Sequence, residues 1–289
     1  MTFSAAVLRV LNVLIMIGVP AAAAILVYKR GKGGFRPIWI GAAAFVLSQV
    51  GHIPFNQFLM IPGLRALGVD VAAQSGISLW VLGAAAGLSA GIFEEVARFL
   101  ALKFWLRNSS HTLLPLKYGI GHGGIEALLL GLLAAIALVQ VLALEGDGVI
   151  AMLDPEQAAL AKSQLEIYWA VPWYHSLLGG LERISAMAFH IGASLLVYKS
   201  VRSRNLAYLA IAVLGHTALN AFAVIAVKSM DFVLLEAILF IFAAGWLYGS
   251  WKVRHLDPED PEELPVPQKV QITAAQITPE QIEESRYDK

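Results

Sequence analysis

Glutamates and histidines interrupt stretches of this sequence that are otherwise strongly apolar. Glu94, Glu95 and Arg98 lie in one such stretch, and His122 and Glu126 lie in the next. Two later apolar stretches carry the remaining members of the set, which are His190, His216 and Asn220. Carboxylates and imidazoles exchange protons with substrates and also bind divalent metals. The residue types therefore predict acid–base chemistry, metal-dependent chemistry or both.

Spacing within these stretches places some of the polar side chains on shared helix faces. Residues four apart lie on the same side of an α-helix. Two pairs have this spacing, namely His122 with Glu126 and His216 with Asn220. An imidazole and an amide oxygen one turn apart are a plausible pair of metal ligands, so the second pair predicts part of a metal site.

The adjacent glutamates are expected to differ in role. Glu94 is four residues before Arg98, so these two side chains share a face, whereas Glu94 and Glu95 point about 100° apart on a helix. One glutamate would act as the general base on a bound water. The other would orient a ligand or pair with Arg98.

The composition indicates that these residues lie in a membrane. Hydrophobic residues make up 58% of the 289 and charged residues 15%, against about 45–50% and roughly 25% in soluble proteins. Seven stretches are long enough to cross the hydrocarbon core, which needs about 20 apolar residues. They lie near residues 5–27, 38–60, 77–102, 119–144, 177–198, 206–227 and 232–251. The prediction is an all-α, polytopic membrane helix bundle without disulfides, since the chain has no cysteine.

The distribution of basic residues predicts the orientation of the bundle. The first, third and fifth loops contain four, three and three Lys or Arg residues, whereas the second and sixth contain one each. Lys and Arg collect on the cytoplasmic side of membrane proteins. The N-terminus is therefore expected outside and the C-terminus inside. With this orientation, the polar residues of four successive spans fall in one layer, about 7 to 18 Å inside the cytoplasmic boundary.

Two segments outside the spans have their own character. Asp154, Pro155 and Glu156 in the fourth loop form the start signal of a helix, which we expect to lie on the outer surface. Residues 256–289 are polar, acidic and rich in proline, so they are predicted to be a disordered cytoplasmic tail. Residues 1–255 would then form the transmembrane domain.

Some intramembrane polar residues have a simpler structural interpretation. His52, with Gln49 and Asn56 on the second span, is expected to form hydrogen bonds between helices, which commonly join membrane helices. Glu182 and Arg183 are adjacent near the outer end of the fifth span and would neutralise each other. We did not include these residues in the predicted site.

At these residues the chain resembles the YhfC family of intramembrane metalloproteases. That family is related to the CAAX-type and bacteriocin-processing (CPBP) proteases, to the PrsW proteases and to a scaffold subunit of gamma-secretase. The resemblance lies in four motifs from the third to the sixth span: Glu94-Glu95-x-x-Arg98, His122-Gly-Gly-x-Glu126, Glu182-Arg183 with His190, and His216-x-x-x-Asn220. The sequence departs from the CPBP pattern in having two residues rather than three between the glutamates and the arginine.

The resemblance implies a metal-dependent endopeptidase that cuts peptide bonds near the cytoplasmic leaflet. Glu94 or Glu95 would be the base, with His190, His216 and Asn220 around a divalent metal, in the first place Zn²⁺. His122 and Glu126 are further candidates. The implied partners are a membrane protein or peptide substrate and the lipid bilayer, with no nucleic acid, in a bacterial plasma membrane.

Two other classes of function stay open. A non-catalytic scaffold of the same fold would keep the polar site and bind partner proteins. An ion- or proton-coupled transporter would also use intramembrane carboxylates and histidines, although the sequence lacks the two similar halves that are common in transporters.

Overall fold

The computed structural model describes residues 3–29, 34–109, 111–145 and 147–254. These residues form helices and connecting turns, with no strand among them. Seven helices are long and apolar enough to cross a membrane, which confirms the predicted helix bundle. They are α1 (Phe3–Lys29), α2 (Arg36–Phe55), α4 (Gly76–Leu100), α5 (Leu114–Leu144), α8 (Trp173–Ser203), α9 (Ala207–Ala226) and α10 (Phe232–Val253). The position of the termini relative to the membrane stays a prediction, and the predicted tail lies outside the described residues.

Several elements lengthen or connect these helices. A π-helical turn at Asn56–Met60 continues α2 into the short α3 (Ile61–Ala66), and a second π-helical turn at Ala101–Trp105 continues α4. The fourth loop contains α6 (Asp147–Ile150) and α7 (Pro155–Ala170). α7 begins as predicted, because the Asp154 carboxylate accepts a hydrogen bond from the Gln157 backbone N–H at 2.9 Å.

Glycines bring α4 and α9 into close, antiparallel contact. Gly83, Gly87 and Gly91 recur every four residues and so share one face of α4. A Cβ atom on Gly83 would lie 2.6 Å from the Ile225 side chain, and one on Gly91 would lie 2.7 Å from the Val213 carbonyl oxygen. Small residues at this spacing let membrane helices approach closely. The pairing fixes Glu94 and Glu95 on α4 beside His216 on α9.

A second glycine-lined pair is formed by α5 and α8. A Cβ atom on Gly119 would lie 2.6 Å from the Ile191 Cα, and one on Gly123 would lie 2.9 Å from the Met187 Cα. The helices are therefore antiparallel. This pairing sets the His122 ring beside the His190 ring, with a centroid separation of 4.8 Å.

The remaining long helices surround these two pairs. α1 packs on α5 and α8, α2 packs on α5 and α4, and α10 packs on α8. Apolar side chains such as Trp39, Val50, Phe58 and Ile241 are largely exposed on the outside of the bundle. Such side chains are stable there only against lipid, so their exposure agrees with an integral membrane protein.

Candidate metal centre

The polar residues of four helices meet inside the bundle. One donor atom each from Glu94, His190 and His216 lies within 4.8 Å of the others, and all three residues are buried. We call these three residues the Glu–His cluster. The cluster forms because α4 packs on α9 while α8 contacts both of them.

Glu94 is the carboxylate at the centre of the site. Its Oε1 accepts a hydrogen bond from the Gln49 amide at 3.1 Å, and its Oε2 lies 3.1 Å from His122 Nε2. The same Oε2 is 3.8 Å from His216 Nε2. Helices α2, α5 and α9 thus each contribute a polar contact to this side chain, so its position depends on the whole bundle.

Glu95 points away from Glu94 and is completely buried. Its Oε2 lies 2.8 Å from Arg98 Nε, and its Oε1 lies 2.8 Å from His216 Nδ1. Arg98 therefore pairs with Glu95 at a spacing of three, and not with Glu94 at the spacing of four on which the sequence argument relied. Through its contact with Nδ1, Glu95 can orient the His216 ring, which is one of the roles predicted for the glutamate pair.

His216 is held in one orientation by this contact. A carboxylate only accepts hydrogen bonds, so Nδ1 carries the ring proton and Nε2 presents its lone pair toward Glu94. A histidine fixed by a carboxylate in this way is the usual arrangement of a metal ligand. Asn220, one turn along α9, lines the same cavity.

Arg98 joins the two glycine-lined pairs. Besides Glu95, its guanidinium donates to the His190 carbonyl oxygen at 3.1 Å, to Ser194 Oγ at 2.5 Å and to His190 Nδ1 at 3.0 Å. The side chain is completely buried. Since arginine only donates, His190 Nδ1 accepts and its Nε2 carries the proton.

His190 also contacts the carboxylate of Glu126. Its Nε2 lies 2.8 Å from Glu126 Oε2, and Glu126 Oε1 accepts from Arg183 at 2.7 Å. Arg183 in turn pairs with Glu182. The two residues interpreted from sequence as a self-neutralising pair therefore connect to the site through Glu126, which the sequence named only as a further candidate.

A cavity of about 90 Å³ opens beside the Glu–His cluster. Polar side chains from both helix pairs line it, and apolar residues of α8, α9 and α10 complete its wall. The polar lining includes Glu94, Glu126, Glu182, Arg183, His190 and His216. Neither Glu95 nor His122 lines it, so Glu94 is the member of the glutamate pair that can meet a substrate.

The Glu–His cluster has the donors of a catalytic zinc site, which combines imidazole nitrogens and a carboxylate and keeps one position open. Zinc bonds of about 2 Å place ligand atoms a little over 3 Å apart, so modest side-chain rotations would suffice. His216 fits best, since its Nε2 is already free. His190 would have to release Glu126 before its Nε2 could bind a metal.

Comparison with known proteins agrees with these observations. Residues 13–240 match the family described as YhfC intramembrane metalloprotease. A similar protein is the uncharacterized membrane protein YhfC of Bacillus subtilis (strain 168), which is 35% identical over 175 residues, or 58% of this chain and 67% of that protein. No solved structure matches the chain. The chain is thus an integral membrane protein and belongs to the YhfC intramembrane metalloprotease family.

Proposed function

We propose that this protein hydrolyses peptide bonds inside the membrane with the help of a divalent metal. The observation that carries the proposal is the Glu–His cluster, in which one carboxylate and two imidazoles meet beside a cavity. The family description supports the same class of reaction. Under the predicted orientation, the cut would fall near the cytoplasmic leaflet.

His190 and His216 would hold the metal, with Asn220 on the same wall of the cavity as a further ligand. The N and O donors suit Zn²⁺. When bound, such a metal polarises the scissile carbonyl and lowers the pKa of a bound water toward about 7.

Glu94 is the base in this proposal. Its carboxylate lines the cavity, so it can take a proton from the attacking water and return it to the leaving amine. Glu95 keeps His216 in one tautomer, and Arg98 holds the Glu95 carboxylate in place.

A metal-free glutamate protease is the second candidate, because both ring nitrogens of His190 are already engaged. Arg98 donates to Nδ1, and Nε2 donates to Glu126. In that mechanism Glu94 would activate water alone, while the Nε2–H of His190 would turn from Glu126 to polarise the carbonyl. The scaffold and transporter hypotheses would need neither a metal nor a cleaved peptide.

The first experiment counts metal by mass spectrometry in protein purified in mild detergent without chelators. We expect near-stoichiometric zinc in the parent and in His175→Ala, a control because His175 lies outside the cluster. His190→Ala and His216→Ala should lose it while remaining folded. A parent without metal, even after zinc is supplied, would overturn the metal-dependent proposal.

The second experiment supplies a substrate. A set of single-span peptides would be reconstituted with the protein in liposomes, and products would be identified by mass spectrometry. We expect cleavage at a bond near one end of the span, abolished in Glu94→Gln. Cleavage by a metal-free parent would support the glutamate mechanism. Metal without cleavage of any peptide would favour the scaffold.

A further inference from the structure

A chain of polar side chains leads from α2 to the carboxylate of Glu94. It consists of Asn56, His52 and Gln49 together with Ser89 of α4, and we call it the α2 polar chain. Asn56 Nδ2 lies 2.9 Å from His52 Nε2, and His52 Nδ1 lies 3.1 Å from Gln49 Oε1. Gln49 Nε2 lies 3.1 Å from Glu94 Oε1. From the sequence, His52, Gln49 and Asn56 were expected only to join helices.

The hydrogen bonds of the α2 polar chain run in one direction. An amide nitrogen can only donate, so His52 Nε2 accepts from Asn56 and the ring proton lies on Nδ1. That proton is donated to Gln49 Oε1, which leaves the Gln49 N–H groups to face Glu94 and Ser48 Oγ. Asn56 Oδ1 in turn accepts a hydrogen bond from the Ser89 hydroxyl at 2.8 Å.

The opposite direction would be unfavourable for an ionised Glu94. A ring proton on His52 Nε2 would turn the Gln49 amide around, and its carbonyl oxygen would then face the carboxylate. Two acceptors at 3.1 Å repel each other, whereas the observed direction places an N–H donor there. The tautomer of His52 therefore determines which end of the Gln49 amide faces Glu94.

Close packing of α2 on α4 makes these short contacts possible. A Cβ atom on Gly51 would lie 2.9 Å from the Phe93 ring, so a larger residue there would displace this ring beside Glu94. Gln49 and His52 are three residues apart and His52 and Asn56 four apart, so all three share one face of α2. To join the two helices, the Ser89–Asn56 hydrogen bond of 2.8 Å would be sufficient.

We propose that Gln49 and His52 are positioning residues that hold the Glu94 side chain aimed at the cavity. The proposal rests on the proposed function, in which Glu94 is the base. Gln49 supplies the hydrogen bond, and His52 determines which end of the Gln49 amide faces the carboxylate. Neither residue lines the cavity, so neither touches substrate.

Infrared spectroscopy of the purified protein tests the proposal without a substrate. The carboxylate band of Glu94 is identified by its loss in Glu94→Gln. Gln49→Met preserves side-chain length and removes the donor, so we expect this band to shift. The matched control is Gln57→Met, since Gln57 is exposed on the π-helical turn that follows α2 and should leave the band in place.

A second pair of variants tests the direction of the chain and covers the case in which Gln49→Met does not fold. His52→Leu leaves Gln49 in place but removes the donor that orients it, so the band should shift again. His52→Asn returns an amide N–H near the position of Nδ1 and should restore the parent spectrum. An unmoved band in folded Gln49→Met and in His52→Leu would overturn the proposal.

Kinetics then separate positioning from substrate binding. For a peptide that the parent cleaves, Gln49→Met should lower kcat about tenfold with KM unchanged, as is typical when a supporting hydrogen bond to a catalytic group is lost. An unchanged kcat would contradict the proposal. If the band shifts but the parent cleaves no peptide, the positioning role of the α2 polar chain is supported and the protease function is contradicted.

Discussion

The two glycine-lined helix pairs carry the site, and they contribute different chemistry to it. The α4–α9 pair supplies the adjacent glutamates and His216, whereas the α5–α8 pair supplies His122, Glu126 and His190. Within each pair, packing is apolar and brings backbones into contact. Between the pairs, the contacts near the site are polar, with Arg98 at their centre.

Apolar packing within the pairs and polar contacts between them therefore have different effects on the structure. Close packing gives each pair its internal geometry, because van der Waals contact is the main attraction between helices in lipid. Single interhelical hydrogen bonds in membranes average only about 0.6 kcal/mol, so they add little to assembly one by one. They do set where one pair stands relative to the other, and the Glu–His cluster exists only when both pairs are in register.

Replacing Arg98, which connects the two glycine-lined pairs, should have the largest effect on stability and on metal binding. Arg98→Met leaves Glu95 buried without its cation, and breaking a buried ion pair costs about 3–5 kcal/mol. We expect a loss of that size in unfolding free energy, followed in mixed micelles, and loss of bound metal. Arg65→Met is the control, because Arg65 is exposed on α3. Stability equal to the control would mean that packing alone aligns the pairs.

Replacing the base should separate chemistry from assembly. Glu94→Gln removes the proton acceptor but keeps the side-chain shape, so cleavage should fall about a thousandfold, the middle of the range for general bases. Metal content and melting temperature should stay at parent values, as in Glu166→Gln on the exposed face of α7. Loss of metal in Glu94→Gln would instead identify Glu94 as a ligand.

Adding a methyl group to one glycine of each pair tests how tightly the two pairs are packed. In Gly87→Ala it would meet the Thr217 carbonyl oxygen, and in Gly123→Ala it would lie 2.9 Å from the Met187 Cα. Overpacking costs about 1–3 kcal/mol, against about 1 kcal/mol gained in helix propensity. We expect both variants to melt lower than Gly249→Ala, whose methyl group meets open space.

Metal content should distinguish these two variants. The added Cβ in Gly123→Ala lies 3.1 Å from His190 Cβ, so this variant should also bind metal more weakly. Gly87 is two helical turns from Glu94, and Gly87→Ala should retain the metal. Equal metal loss in both would indicate that the pairs move as one body.

The smallest effect is expected at the outer contact of the α5–α8 pair. Glu126→Gln removes the ion pair with Arg183 but keeps an oxygen that accepts from His190 Nε2. We expect cleavage to fall tenfold or less, on the order of one lost charge-assisted hydrogen bond. Metal loss as complete as in His190→Ala would show that Glu126 is itself a ligand.

The sequence predicted the number of membrane helices because apolar length is a local property. It also predicted that Glu94 and Glu95 differ, since adjacent helical residues diverge. It did not predict which of them meets Arg98: both spacings allow a contact, and the choice depends on where α8 places Ser194 and the His190 carbonyl.

Other residues were missed because their partners are distant in sequence. The sequence shows Gln49 as a polar residue within an apolar span. Its contact with Glu94, however, depends on the packing of α2 on α4. Arg183 was assigned to its neighbour Glu182, although its second partner, Glu126, comes from another helix. Helices pair through faces lined by glycine. A single sequence shows which helix faces carry small residues, but it does not show which other helix packs on each of them.

The fluorescence of Trp246 on α10 can report on the helices that carry the site. Its indole ring lies against Gly192 of α8 and Gly215 of α9, beside Phe189. Those contacts directly adjoin both histidines of the Glu–His cluster. Five of the other six tryptophans are exposed, so a Trp246→Phe difference spectrum would isolate the fluorescence of one partly buried indole. Its emission would then follow movement of either histidine-bearing helix in the native protein, without label or substrate.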